Sequence, residues 1–169
     1  MDITLVLSTV IAVLIASFLG FLFWLQRKEH KRELENANNN KGNVSLQLQA
    51  YERLTLLVDR IALPNLIARV NEPGLSVKEM QLLLNQNIKH EFDYNITQQI
   101  YVSKNAWDAV KSLKEQNMLA VNQLANVLPV NATGLDLNKL LLEYTMNDVK
   151  GNMHEAVSEA LSYEAKKLL

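Results

Sequence analysis

From Ile3 to Leu25 the chain reads "ITLVLSTVIAVLIASFLGFLFWL", 23 residues without a charge. From Val44 onward apolar positions instead recur every three or four residues, between charged and amide side chains. The first pattern predicts a helix that is apolar all round, the second a series of amphipathic helices. As a helix, the charge-free run rises about 34 Å, enough for a hydrocarbon core of about 30 Å with some tilt. Thr4, Ser8, Thr9 and Ser17 can return their hydroxyls to the helix backbone, and Trp24 falls where an indole suits the headgroup zone. A cleaved signal peptide has a basic start, a shorter apolar stretch and a small-x-small site. Here Asp2 is the sole charged side chain before the run, and no A-x-A follows it. Residues 3–25 are therefore expected to span a membrane.

The remaining pattern divides into helices at clear punctuation. "SLQLQAYERLTLLVDRIA" places Leu46, Ala50, Leu54, Leu57, Val58 and Ile61 on one face, with Gln47, Glu52, Arg53, Asp59 and Arg60 largely outside it. Pro64 suits the first turn of a short second helix, "PNLIARV", which "NEPG" ends. Ser76 and Glu79 form a capping-box pattern before Val77, Met80, Leu84, Ile88 and Phe92. Ser103 is the expected cap of a long helix from Lys104 to Leu128, stopped by Pro129. "PVNATG" reads as a loop, and a last helical region runs from Leu135, interrupted or kinked near Gly151. "QQIYVS" is the one stretch with extended character. In the long helix, Ala106, Val110, Leu113, Asn117, Ala120, Leu124 and Val127 keep a four-three spacing. That spacing serves a coiled-coil seam between chains or a helix packed inside its own domain.

Charge then orients the span. Arg27, Lys28, Lys31 and Arg32 follow it closely, and no Lys or Arg precedes it. Basic flanks stay in the cytoplasm, and Glu29 and Glu33 count for little in that rule. The expected topology is an inner-membrane protein with its N-terminus outside and its C-terminal domain in the cytoplasm. The absence of cysteine agrees with that compartment. "LENANNNKGNV", Leu34 to Val44, is crowded with asparagine, which favours turns over helix. Residues 26–43 are thus expected to form a basic flank and a flexible linker, and 44–169 a compact domain.

Candidate chemistry is sparse. The chain has five glycines and none of the G-x-x-x-x-G-K-[ST], G-x-G-x-x-G or G-x-S-x-G motifs. His90 and Asp93 have helical metal-ligand spacing, but as a lone pair they fit an exposed polar face better. No metal, cofactor or catalytic residue is inferred. Beyond residue 43 there are 12 Lys and Arg against 14 Asp and Glu, a net charge of −2 that argues against nucleic-acid binding.

"HEFDYNITQQIYVSKNAWDAV" holds Phe92, Tyr94, Tyr101 and Trp107, four of the seven aromatics that follow the apolar run. Tyr and Trp at this density suit a contact surface. They suit better the hub of a core where two helices meet at a turn, and different residues of the stretch can serve each. Arg53 and Arg60, seven apart, share a stripe of the first domain helix away from its apolar face.

"LQAYERLTLLVDRI", "LPNLIARV" and "NITQQIYVSKNAWDAVKSLKE" resemble an uncharacterised bacterial family of small single-pass membrane proteins. The resemblance runs from the apolar segment to about Leu128 and is looser beyond. It implies an N-terminal span with a helical domain and draws notice to Tyr51, Glu52, Arg53, Gln98, Gln99, Tyr101 and Trp107. It implies no catalytic residue.

The expected fold is all-α: one transmembrane helix, a flexible linker and a bundle of about five helices. The expected function is a membrane-anchored interaction or scaffold subunit, with Arg53, Arg60, Tyr94, Tyr101 and Trp107 as partner-binding candidates. Trp24, Arg27, Lys28, Lys31 and Arg32 form the membrane flank. Expected partners are the bilayer through 3–25, other membrane-complex proteins and a second copy of the chain, without nucleic acid. The alternative is a membrane-surface enzyme or small-ligand binder with a pocket near Tyr94 to Trp107.

Topology is directly testable. A reporter active only in the cytoplasm, fused after Leu169, should work, whereas one active only outside should stay silent. Neutralising Arg27, Lys28, Lys31 and Arg32 together should yield mixed orientation.

Overall fold

The computed structural model describes residues 21, 24–29, 42–147 and 152–169. Most of the expected span 3–25, linker residues 30–41 with Lys31 and Arg32, and the interruption at Gly151 lie outside the described residues. Among the described residues no helix is long and apolar enough to cross a membrane. The chain divides into two compact units, Met1–Val44 and Ser45–Leu169. In the first, residues 24–29 are helical, the Phe21 and Trp24 rings stack at 6.3 Å, and Lys28 Nζ lies 5.0 Å from the Trp24 ring centre.

The second unit is all-helical among the described residues. Residues 42–61 (α1), of which those from Ser45 on belong to this unit, are followed by α2 (Leu63–Val70), α3 (Val77–Tyr94), a 3-10 turn (Ile96–Ile100), α4 (Lys104–Val127), α5 (Gly134–Asn147) and α6 (Met153–Lys166). That makes six α-helices where the sequence led us to expect about five, because the last helical region divides into α5 and α6. Gly42 and Asn43, assigned to the linker on composition, are helical. "QQIYVS" is not extended. With no neighbouring strand its backbone groups pair locally instead, Gln98 N–H to Asn95 C=O and Tyr101 N–H to Gln98 C=O, each at 3.0 Å.

One core runs through this unit. Helix α3 packs on α4 and α5, α4 on α6, and α2 on α3 and α5. Its centre is built from the faces read off the periodicity: Leu54, Leu57 and Ile61 of α1, Met80, Leu84 and Ile88 of α3, and Val110 and Leu113 of α4. Leu46 departs from the pattern and is exposed. It precedes Tyr51, which already stands level with the start of α4, so the first turns of α1 run past their neighbours. The four-three seam of α4 is filled within the chain from Ala106 to Ala120, whereas Val127 is exposed. Its polar member, Asn117, is buried and donates from Nδ2 to Ile61 C=O at 2.7 Å. That carbonyl is free because α1 stops at Ala62, whose extended backbone precedes the proline-bearing first turn of α2.

Two helix starts are joined side by side. Ser76 and Glu79 form the expected capping box on α3. Thr133, at the end of the expected loop, and Asp136, in the helix expected from Leu135, form an equivalent arrangement on α5. Ser76 and Thr133 pair in an isolated antiparallel bridge, and Gly134 N–H donates to Leu75 C=O at 2.7 Å. A Cβ at Gly134 would lie 2.9 Å from Met80 Cβ and 3.0 Å from the Leu75 oxygen, so glycine is what lets the two starts approach.

The capping carboxyls give this clamp a pH dependence. The Ser76 hydroxyl and N–H hold the Glu79 carboxyl below its usual value. The Thr133 N–H and hydroxyl, with Lys139 nearby, do the same for Asp136. A carboxyl lowered in the folded state contributes stability above its unfolded pKa and loses it as pH falls through the folded one. The melting temperature should therefore fall as pH drops from about 5 towards 3. Glu79→Gln and Asp136→Asn together should flatten that acid limb, and Gly134→Ala should lower the melting temperature at every pH; calorimetry across pH reads both.

Candidate functional site

The third turn of α1 begins a row of polar contacts. Tyr51 is buried, and its phenol donates to Glu164 Oε2 on α6 at 2.7 Å. The phenol oxygen itself accepts from Ser103 N–H, at the start of α4, at 3.2 Å. Ser103 Oγ accepts from Ala106 N–H as the helix cap and donates to Glu164 Oε2 at 2.5 Å. Burial foremost pushes the Tyr51 phenol above its usual pKa, against the pull of the Ser103 N–H and with a further push from Glu164. The group therefore stays a neutral donor. Tyr51 and Ser103 belong to the two sequence blocks, "AYERL" and "QQIYVS", on which the family resemblance rests. Those blocks meet in space.

Further along α1, an open groove of about 380 Å³ lies against the C-terminal half of α3. Arg53, Leu56, Leu57 and Arg60 line it from α1, and His90, Glu91 and Tyr94 from α3, with Asn95 at the end. Glu91 is buried, and an isolated carboxylate there would be costly. It is held by two arginines: Arg60 Nε at 2.8 Å and Arg69 Nη2 at 3.4 Å, both on Oε1. Arg53 has no carboxylate partner among the described residues. Its guanidinium lies 5.4 Å from the centre of the Tyr94 ring, which is 70% exposed. Leu56 stands 63% exposed beside it.

Leu56 also borders a second groove, of about 540 Å³, between α1 and α6. Its other lining residues are Tyr51, Glu52, Thr55, Ser158, Ser162 and Ala165. Among the described residues no three imidazole or carboxylate groups gather as a metal ion would require.

Of the five partner-binding candidates, the structure brings Arg53, Arg60 and Tyr94 to one groove and leaves two outside it. Trp107 is half-buried, its ring 5.1 Å from that of Phe92 at an interplanar angle of 34°. Phe92 is buried and carries Lys114 Nζ over its ring at 4.5 Å. These two aromatics serve the core. Tyr101 closes the 3-10 turn and keeps its edge exposed. Sequence reasoning missed Leu56 and Glu91 in the groove, and Glu164 in the Tyr51 cluster, whereas Asn95, an amide interleaved with the aromatic stretch, does line the groove. A carboxylate at Glu91, one position before the apolar Phe92 on α3, was the available signal. His90 was noticed only beside Asp93, and it faces the groove instead.

The geometry separates the two arginines of the α1 stripe. Arg60→Ala strips Glu91 of its nearer cation and should cost about 1–2 kcal/mol, between the values typical of surface and buried pairs. Arg53→Ala removes only an exposed ring contact and should cost less than about 0.5 kcal/mol. Urea unfolding of the two variants measures the difference.

A family profile described as "Family of unknown function (DUF7935)" matches residues 1–168, and the chain belongs to that family. No curated protein and no solved structure matched the chain.

Proposed function

We propose that this DUF7935 protein is a bacterial membrane-anchored adaptor whose helical unit binds a protein partner in the cytoplasm through the α1–α3 groove. The anchor is the apolar run 3–25, oriented by Arg27, Lys28, Lys31 and Arg32. The observation that carries the partner site is the state of Arg53. It is a cation without a carboxylate partner among the described residues, stacked on an exposed tyrosine beside an exposed leucine. Arginine and tyrosine next to an aliphatic side chain are the composition of interaction hot spots. Glu91 holds Arg60 in place within the same groove, so a second guanidinium is oriented in advance. A partner surface with a carboxylate for Arg53 and an apolar side chain for Leu56 and Tyr94 fits this arrangement.

A second reading is favoured by the convergence of Arg53, Arg60 and His90 on a groove of about 380 Å³. That volume suits a small anionic ligand.

Site-specific photocrosslinking distinguishes the two. With a photoreactive amino acid at Leu56 of the full-length chain in its native membrane, a discrete protein adduct should form. Arg53→Glu should remove the adduct while leaving the helical circular-dichroism signal unchanged. No adduct, together with a small molecule that stays with the purified protein and is lost in Arg53→Glu, would replace the adaptor by the ligand-binding alternative.

A further inference from the structure

The 3-10 turn between α3 and α4 is built inside out. Asn95 and Gln98 are buried, Gln98 to 8% exposure, whereas Ile96 and Ile100 face outward, Ile100 at 73%. Single exposed leucines are ordinary, but buried amides beside outward-facing isoleucines are not the usual arrangement for a turn in water. Left in water, the two isoleucines keep apolar surface hydrated, and an apolar cover would remove it from solvent.

The position of the turn points to what covers it. Ser45 begins the unit, and within two turns Tyr51 bonds to Ser103, just past Tyr101. The isoleucines therefore lie at the end of the unit near which its own chain begins. The C-terminal turns of α6 reach the same end, since Glu164 joins Tyr51 and Ser103 there. They add Tyr163, with Lys167 Nζ 4.1 Å from its ring centre, and Lys166, all exposed. Tyrosine, branched aliphatics and lysine together are the composition of protein surfaces seated at the headgroup layer. Lys104, also at this end, is already paired with Asp108 at 3.2 Å.

We propose that this end of the helical unit rests on the anionic lipid surface in which the chain is anchored, with Ile96 and Ile100 inserted among the headgroups and Lys166 and Lys167 on their phosphates. It rests on the membrane anchoring proposed above, so the test reads anchoring and docking separately. The sequence has no cysteine, so one probe site can be introduced at a time. Ile100→Cys and Val130→Cys sit at opposite ends of α4, which rises about 36 Å over its length. Each full-length variant, carrying an environment-sensitive fluorophore, is reconstituted into vesicles of phosphatidylcholine and phosphatidylglycerol that contain a headgroup-labelled quencher lipid. The Ile100 probe should be quenched severalfold more than the Val130 probe. That excess should shrink in vesicles of phosphatidylcholine alone and in the Lys166→Gln, Lys167→Gln double variant. Equal quenching at the two sites, in a chain that resists carbonate extraction, overturns the docking and leaves the anchor standing. Release by carbonate overturns both. An Ile100 probe shielded in native membranes but quenched no more than Val130 in pure lipid means that a protein covers the turn, and overturns the lipid assignment.

Discussion

Helix α1 has to be seated at its middle and at its C-terminus before either groove beside it exists. At its middle the Tyr51 phenol accepts from Ser103 N–H and donates to Glu164, fastening α1 to the start of α4 and to α6. At its C-terminus, Asn117 of α4 reaches the Ile61 carbonyl that the break before Pro64 leaves without a helical partner. The Asn117 tie is buried and the Tyr51 tie partly so; such polar bonds tolerate little slippage because an unmade one leaves a desolvated group unpaired. Between them, apolar Leu54, Leu57, Val58 and Ile61 supply the burial. The polar ties set the register.

Once α1 is seated, its outer stripe becomes a shared wall. Leu56 borders the groove against α3 and the groove against α6. On the α3 side, Glu91 concentrates the electrostatics by drawing Arg60 and Arg69 to one oxygen. Arg53 sits outside that group, on Tyr94. Two arginines on one helix stripe therefore acquire different roles, one spent on an internal charge and one left facing outward. The difference comes from α3, not from α1.

The opposite end of the unit is organised by backbone rather than by side-chain charge. Gly134 brings the starts of α3 and α5 within hydrogen-bonding distance, and each start is closed by its own hydroxyl–carboxyl pair. The far end carries the inverted turn with Ile96 and Ile100 outward. The bundle thus has one end joined by caps, where Val127, Val130 and Leu135 are also exposed, and one end whose turn buries its amides and turns its isoleucines out.

Local pattern was enough for much of this. The spacing of Met80, Leu84, Ile88 and Phe92 placed the buried face of α3, and Ser76 with Glu79 marked its start, because caps and amphipathic faces arise from residues within a few positions of one another. The box at Thr133 and Asp136 is equally local, but it straddles the expected loop and the helix expected from Leu135, since Gly134 weakens the helical pattern at its start. Charge and apolar length alone likewise set the expectations for residues 3–32. Long-range pairing was not legible in this way. Whether Asn117 marked a seam between chains or a bond inside one depended on an Ile61 carbonyl 56 residues earlier. Arg60 looked as free as Arg53 until Glu91 was placed beside it from another helix. Which of Phe92, Tyr94, Tyr101 and Trp107 turned inward was decided by the turn geometry at Asn95 and by the helices packed around it. Periodicity states which face of a helix is buried; which helix covers that face, and with which atoms, is a property of the packed chain.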